Sequence, residues 1–161
     1  MIEVNEKLNE IPFSFLKKPI IIGGIAMEYY GMRKAGKDID LIISEEDYHT
    51  LSEKYPHNKK DLYGDLGFVI NTFEVWRSIA LIDYDFFLKD AVDEGNVLVV
   101  SIDRLLWMRV CAMEVLKYKK DLDLMKEYYY EHFRNQEYLQ SYTESPLKDL
   151  HHFPDLIAVQ N

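Results

Sequence analysis

The chain has 161 residues and a net charge of −9; that length fits one domain with a single core, and the charge excludes a general nucleic-acid coat, because polyanions bind through clusters of Lys and Arg. Hydrophobic residues at 48% and charged residues at 29% exclude a disordered chain. The single cysteine, Cys111, excludes an intrachain disulfide framework and suits a reducing cytoplasm. The acidic start, Met1-Ile2-Glu3-Val4-Asn5-Glu6, is unlike a basic signal peptide. No apolar run reaches the roughly 20 residues that a membrane-spanning helix needs. The expectation is a soluble, cytoplasmic protein with no membrane partner.

In chain order, Pro19-Ile20-Ile21-Ile22 is a short apolar run stopped by Gly23-Gly24, which predicts a buried strand. A helix follows from about Ile25 to Gly31, then a second strand from Ile39 to Ile43. Ser44 is placed to cap a helix that begins Glu45-Glu46-Asp47. One further strand is expected from about Gly67 to Val75, and a helix from Asp83 or Asp85 through Ala91, ended by Gly95. Val97 to Val100 reads as a strand. Ser101 then caps a long helix with an apolar stripe of Ile102, Leu105, Leu106, Met113 and Leu116. Helices around Leu122 to Phe133 and after Pro146 complete the chain, with Tyr128-Tyr129-Tyr130 covering a helical surface. Strands mixed with helices early, then helices alone, predict an α+β fold with an α/β-like core. Residues 1–161 form one domain in this reading, a sheet core to about residue 100 and a helical part from about 101.

The chemistry concentrates between Gly23 and Leu41. In a strand, residues two apart share a face, so Asp38 and Asp40 stand together while Ile39, Leu41 and Ile43 face a core. Adjacent carboxylates repel unless protonated or bridged by a cation. Mg²⁺, or Mn²⁺ in its place, answers that repulsion, since a hard cation pairs one or two carboxylates with substrate phosphates. Gly23-Gly24 permits a tight turn and close backbone approach of a ligand, and the helix behind it offers N–H groups to phosphate. A phosphate seat beside a metal-binding pair is what nucleotidyl transfer requires, with the metal countering triphosphate charge and orienting the attacking hydroxyl. Taken singly, a Gly-Gly pair reads as a turn and an Asp-x-Asp as a loop edge or cap. Strand, Gly-Gly, helix, basic loop and Asp-Ile-Asp-Leu in this order are far less common by chance.

These residues resemble the minimal nucleotidyltransferases of the DNA polymerase β superfamily, in particular the bacterial type similar to AbiE toxins. The likeness is carried by residues 20–43, with Gly23-Gly24, the helix, a basic loop and Asp38-Ile39-Asp40-Leu41. It resumes over residues 97–125 with Val99-Val100-Ser101-Ile102, Leu105-Leu106-Trp107-Met108-Arg109 and Lys119-Lys120-Asp121-Leu122. The resemblance implies a nucleotidyltransferase fold, a small mixed sheet flanked by helices with a helical C-terminal part. It implies Mg²⁺-dependent transfer of NMP from an NTP such as ATP to an acceptor hydroxyl on RNA, protein or a small molecule. It also implies a toxin–antitoxin setting, with an antitoxin or a second copy of the chain as partner.

Carried over residue by residue, Asp38 and Asp40 would bind metal and Gly23 and Gly24 would cradle phosphate. Arg33, Lys34 or Lys37, with Arg109, would counter the triphosphate charge, and Asp121 would shape the pocket. Ile25-Ala26 stands where the family often has a phosphate-binding Ser, and Lys34 and Gly36 stand where Arg-x-Thr usually precedes the acids. A third carboxylate on a neighbouring strand would be Glu74, which is preferred to Asp83, while Asn71 occupies the place where an Asp was expected. Arg109, seven residues after Ile102 and four after Leu105, lies on the apolar stripe of its helix and needs a partner or a substrate. The alternatives are a buried-edge salt bridge and a contact in the cleft. Lys120-Asp121 reads as a surface pair in a turn linking helices, a reading the resemblance shifts toward the pocket. Cys111 is expected to be a buried helix residue, and His132, His151 and His152 to lack metal-ligand spacing. A second function stays open: a nucleotidyltransferase-like domain that binds nucleotide or a partner protein without catalysis.

Overall fold

The apolar run at Ile20 pairs at the centre of a sheet. In the computed structural model, which describes residues 4, 7, 8 and 13–133, β1 is Ile20–Ile21 and β2 is Ile39–Ile42, joined by helix α1, Gly23–Tyr29. Helix α2 spans Glu45–Lys54, followed by β3 (Lys59–Leu62), β4 (Asp65–Ile70), β5 (Phe73–Trp76), β6 (Ser78–Ile79) and β7 (Ile82–Asp83). Helix α3 is Tyr84–Leu88; β8 (Val92–Asp93) and β9 (Leu98–Val99) precede α4 (Ile102–Cys111) and α5 (Leu116–Phe133). Among the described residues, seven strands form one mixed sheet in the order β3-β4-β5-β2-β1-β9-β8, and β6 and β7 form a separate hairpin. The β2–β5 and β1–β9 pairs are parallel and the other pairs of the large sheet antiparallel. The fold is α+β.

Alternation along the strands separates two faces. Ile21, Ile39, Leu41, Ile43, Phe68, Phe73 and Val75 belong to one buried cluster with Tyr48 and Leu51 of α2. Helix α2 is anchored at its start by a reciprocal cap: the Asp47 N–H donates to Ser44 Oγ at 3.2 Å, and Ser44 Oγ–H donates to Asp47 Oδ2 at 2.9 Å. Asp47 also accepts the Leu16 and Lys17 N–H groups at 2.8 and 3.2 Å, tying the approach segment to the helix. Asp40, Glu74 and Trp76 alternate with the core residues and so belong to the other face.

Several expectations are corrected. The stretch from Gly67 to Val75 is a hairpin, β4 and β5, turning at Asn71-Thr72. Asn71 has φ 55, a left-handed conformation that Asn tolerates, and so it is a turn residue and no substitute for an acid. The helix after Asp83 stops at Leu88, well before Ala91, and Asp83 precedes it without a side-chain capping bond. Ser101 likewise precedes α4 without one. Helix α4 ends at Cys111, so Met113 and Leu116 leave its stripe and are 58% and 68% exposed. The next helix starts at Leu116, six residues earlier than the sequence suggests, which puts Asp121 inside a helix and not in a linking turn. No Gly or Pro announces the break between α4 and α5. Cys111 is exposed, at the last turn of α4. The expected helix after Pro146, with His151 and His152, lies outside the described residues.

The chain divides into two compact units, Met1–Leu124 and Met125–Asn161. In the second, the described residues 125–133 are helical, and His132 Nδ1 lies 2.8 Å from the Tyr128 carbonyl oxygen one turn before it. No helix of the described residues is long and apolar enough to cross a membrane.

Candidate functional site

The site begins where β1 turns into α1. The Ile22 N–H donates to the Asp40 carbonyl at 3.0 Å, drawing the β1–α1 turn against β2. Gly23 then has φ 65, and a Cβ placed there would overlap the Asp40 carboxylate. The first glycine is therefore required twice, by its backbone conformation and by the acid behind it. Gly23→Ala is expected to cost about 2–4 kcal/mol, from left-handed strain plus displacement of Asp40. Urea titration checks this, with Gly24→Ala as control: a Cβ at Gly24 would meet its nearest neighbour at 3.6 Å, an ordinary contact.

Across the parallel β2–β5 pair, Asp40 is the register partner of Glu74. Neighbouring strands are about 4.8 Å apart and register partners share a face, so the two acids are lateral neighbours. Burial pushes the Asp40 carboxyl up to about 6 from the usual 3.8, and repulsion from Glu74 and, more weakly, from Asp38 adds to it. Lys117 and Arg109 pull the other way. Asp38 is exposed in the loop just before β2, because the strand starts at Ile39, whose N–H donates to the Thr72 carbonyl at 2.9 Å. It acts on Asp40 from the strand entrance and does not stand beside it within the strand. Asp83, the other candidate acid, belongs to a separate small cleft with Ser44, Glu45 and Arg77.

Gly23, Gly24, Asp40, Glu74 and Arg109 all line one cleft of about 490 Å³, within the range of small-molecule sites. Two cations in it carry no sequence signal. Lys60 on β3 reaches across β4 to bond Glu74 Oε2 at 3.0 Å, and its ammonium lies 4.9 Å from the Trp76 ring centroid. Gly67, the register partner of both Lys60 and Trp76, makes that reach practicable: a Cβ there would meet the Trp76 ring at 2.7 Å. Lys117, on the first turn of α5, is exposed at the cleft edge.

Arg109 is 4% exposed and lines this cleft. Its Nε lies 2.9 Å from Asp121 Oδ2, an ion pair in which the N–H is not directed for a hydrogen bond. Its guanidinium carbon stands 4.6 Å from the Tyr118 ring centroid. Burial draws the guanidinium below its ordinary value, and Asp121 counters that most strongly. Asp121 also takes a two-pronged bond from Arg33, Nε to Oδ1 at 2.6 Å and Nη2 to Oδ2 at 3.0 Å. One buried carboxylate thus gathers an arginine from the loop before β2 and another from α4. Asp121 is a brace behind the cleft and not part of its lining.

The other expected basic residues are elsewhere. Arg33 is engaged with Asp121, and Lys34, almost fully exposed, pairs with Glu28 at 3.3 Å. Lys37 lines a second cleft, of about 600 Å³, with Glu28, Tyr29 and Thr72. That cleft is larger but contains neither Asp40 nor Glu74.

A divalent cation suits Asp40 and Glu74 on one ground: the charge burden on Asp40 comes from burial and neighbouring acids, which a cation relieves. Against it, among the described residues no group of three His, Cys, Asp or Glu side chains is arranged to hold a metal. Comparison of the chain with protein-family models, with curated proteins and with solved structures finds no match.

Proposed function

We propose that the chain is a nucleotidyltransferase, moving NMP from an NTP to an acceptor hydroxyl on RNA, protein or a small molecule. The observation that carries this reading is the Asp40–Glu74 register pair across β2 and β5, at the floor of a cleft that opens on Gly23-Gly24. An antiparallel β1–β2 pair continued by a parallel β2–β5 pair, with acids on one face, is compatible with the nucleotidyltransferase fold.

In this mechanism Asp40, with Asp38 from the loop and Glu74 from β5, would hold Mg²⁺, which supplies charge neutralisation on the triphosphate. Holding the cation would take Glu74 from its 3.0 Å ion pair with Lys60, whose side chains are 35% and 31% exposed. Lys60, Lys117 and Arg109, which line the same cleft, would counter the charge of the phosphates. The backbone of Gly23-Gly24 lets phosphate approach without a side chain intervening.

The competing reading is a nucleotide-binding module without catalysis, favoured by the Lys60–Glu74 pair and by the lack of a three-acid metal group among the described residues. Incubating the protein with Mg²⁺ and labelled NTPs in a lysate separates the two. Transfer of label to an acceptor, reduced about 100-fold or more by Glu74→Gln, is the expected result. Metal-dependent NTP binding without transfer to any acceptor class would establish the binding module.

A further inference from the structure

The cleft has a second end that the reaction does not use. Tyr63, which follows β3, is 97% exposed, and Leu81, at the tip of the β6–β7 hairpin, is 70% exposed. Both line the same cleft as Asp40 and Glu74. Gly64, the residue after Tyr63, packs against Leu81: a Cβ there would meet Leu81 Cδ2 at 3.0 Å.

Both are displayed at a cost. Tyr63 has φ 55, Ala80 φ 50 and Leu81 φ 63, left-handed conformations that large side chains resist and that turns normally assign to Gly, Asn or Asp. Asp65 holds the hairpin tip in place. Its Oδ1 accepts from Ser78 Oγ and the Leu81 N–H, each at 2.8 Å, and its Oδ2 accepts the Ala80 N–H at 2.7 Å. Strain that persists because neighbours over-determine it collects at ligand clamps. Here it presents an aromatic ring and an aliphatic side chain to open solvent along the cleft.

We propose that Tyr63 and Leu81 grip the nucleobase of the nucleotide whose phosphates lie at the Asp40 end. The inference rests on the nucleotide reading and adds the base-binding end to it. β3 is three strand positions from β2 in the sheet, about 14 Å at the usual spacing, so the two ends of the cleft lie apart across the sheet. The two ends differ as the ligand's two ends do: acids with Lys60 and Arg109 at one, an apolar clamp at the other. A base stacked on Tyr63 is held by its π-face, which every base has, so the four common NTPs bind with similar affinity.

Calorimetry with Mg²⁺ compares a non-hydrolysable ATP analogue with tripolyphosphate, which has the charge but no base. The unaltered chain is expected to bind the analogue about tenfold more tightly than tripolyphosphate. Tyr63→Ala and Leu81→Ala, both at exposed side chains, should erase that advantage and leave tripolyphosphate binding unchanged, while Tyr63→Trp retains it. The clamp is overturned if the advantage survives both alanine variants, or if tripolyphosphate binds as well as the analogue. The nucleotide reading fails, and this inference with it, if neither ligand binds or if Asp40→Asn binds both as the unaltered chain does.

Discussion

Asp40→Asn is expected to make the protein more stable at pH 7.5 while abolishing the metal-dependent part of nucleotide binding. The folded-state carboxyl titrates near 6, above its ordinary 3.8. Between those values the folded state binds more proton than the unfolded state, so stability falls as pH rises from about 4 to about 6 and stays lower above that. The shift corresponds to at most about 3 kcal/mol, and to about 1–3 kcal/mol once solvent access to a half-buried group is allowed for. Asparagine cannot ionise, so it should recover this amount at pH 7.5 and show no advantage at pH 4. Saturating Mg²⁺ should reduce the pH dependence of the unaltered chain, because a bound cation favours the ionised acid. Thermal melts of both chains at pH 4 and 7.5, with and without Mg²⁺, check these points. The loss in nucleotide affinity with Mg²⁺ should be about 100-fold or more. Destabilisation by Asp40→Asn at pH 7.5 would mean that the charge is satisfied by the protein itself, and the metal reading would fail.

The largest loss of stability should follow Asp121→Ala. Asp121 is 2% exposed and bridges Arg33 and Arg109. Removing it leaves the Arg109 guanidinium buried without its counter-charge, a change that costs about 3–5 kcal/mol, a large part of a domain's 5–15 kcal/mol. Arg33→Ala is the informative comparison. The Arg33 side chain is 24% exposed, and its loss removes both of its hydrogen bonds to Asp121 but leaves the ion pair with Arg109, so a smaller cost of about 1.5–3 kcal/mol is expected. Urea midpoints of the two variants should therefore differ clearly. Equal midpoints would show that Asp121 stabilises only through Arg33 and that Arg109 is held by something else. Because Arg109 lines the cleft while Asp121 does not, a folded Asp121→Asn chain should also bind nucleotide more weakly through a displaced guanidinium.

Local chemistry was legible in the sequence wherever it depended on near neighbours. Alternation along Ile39-Asp40-Leu41 separated the acid from the core residues, and the cap at Ser44 is present as expected, because both follow from backbone periodicity and a three-residue reach. The glycine pair marked a strand-to-helix turn, though only the fold shows that Gly23 is held against Asp40. Arg109 on an apolar stripe signalled a buried cation in need of a partner. The partner itself was not readable as such, because Asp121 reaches it across the break between α4 and α5, which has no Gly or Pro to mark it.

What tertiary structure decided was which faces meet. Strand periodicity assigns a residue to a side but not to a neighbour, so the Asp40–Glu74 register depends on a hairpin turn at Asn71 inside a run whose pattern reads as a single strand. Lys60 enters the cleft because Gly67 leaves space over β4, a coincidence of three strands with no local signature. Lys34 and Lys37, close to the acids in sequence, diverge from the cleft, since a loop residue's direction is set by what it packs against. The sequence by itself determined the α+β class, the strand that carries Asp40 and the glycine turn, each from short-range sterics and hydrophobic periodicity. The composition of the cleft, with Glu74, Lys60, Arg109, Tyr63 and Leu81 brought to Asp40, was decided by long-range pairing, which no short window of sequence encodes.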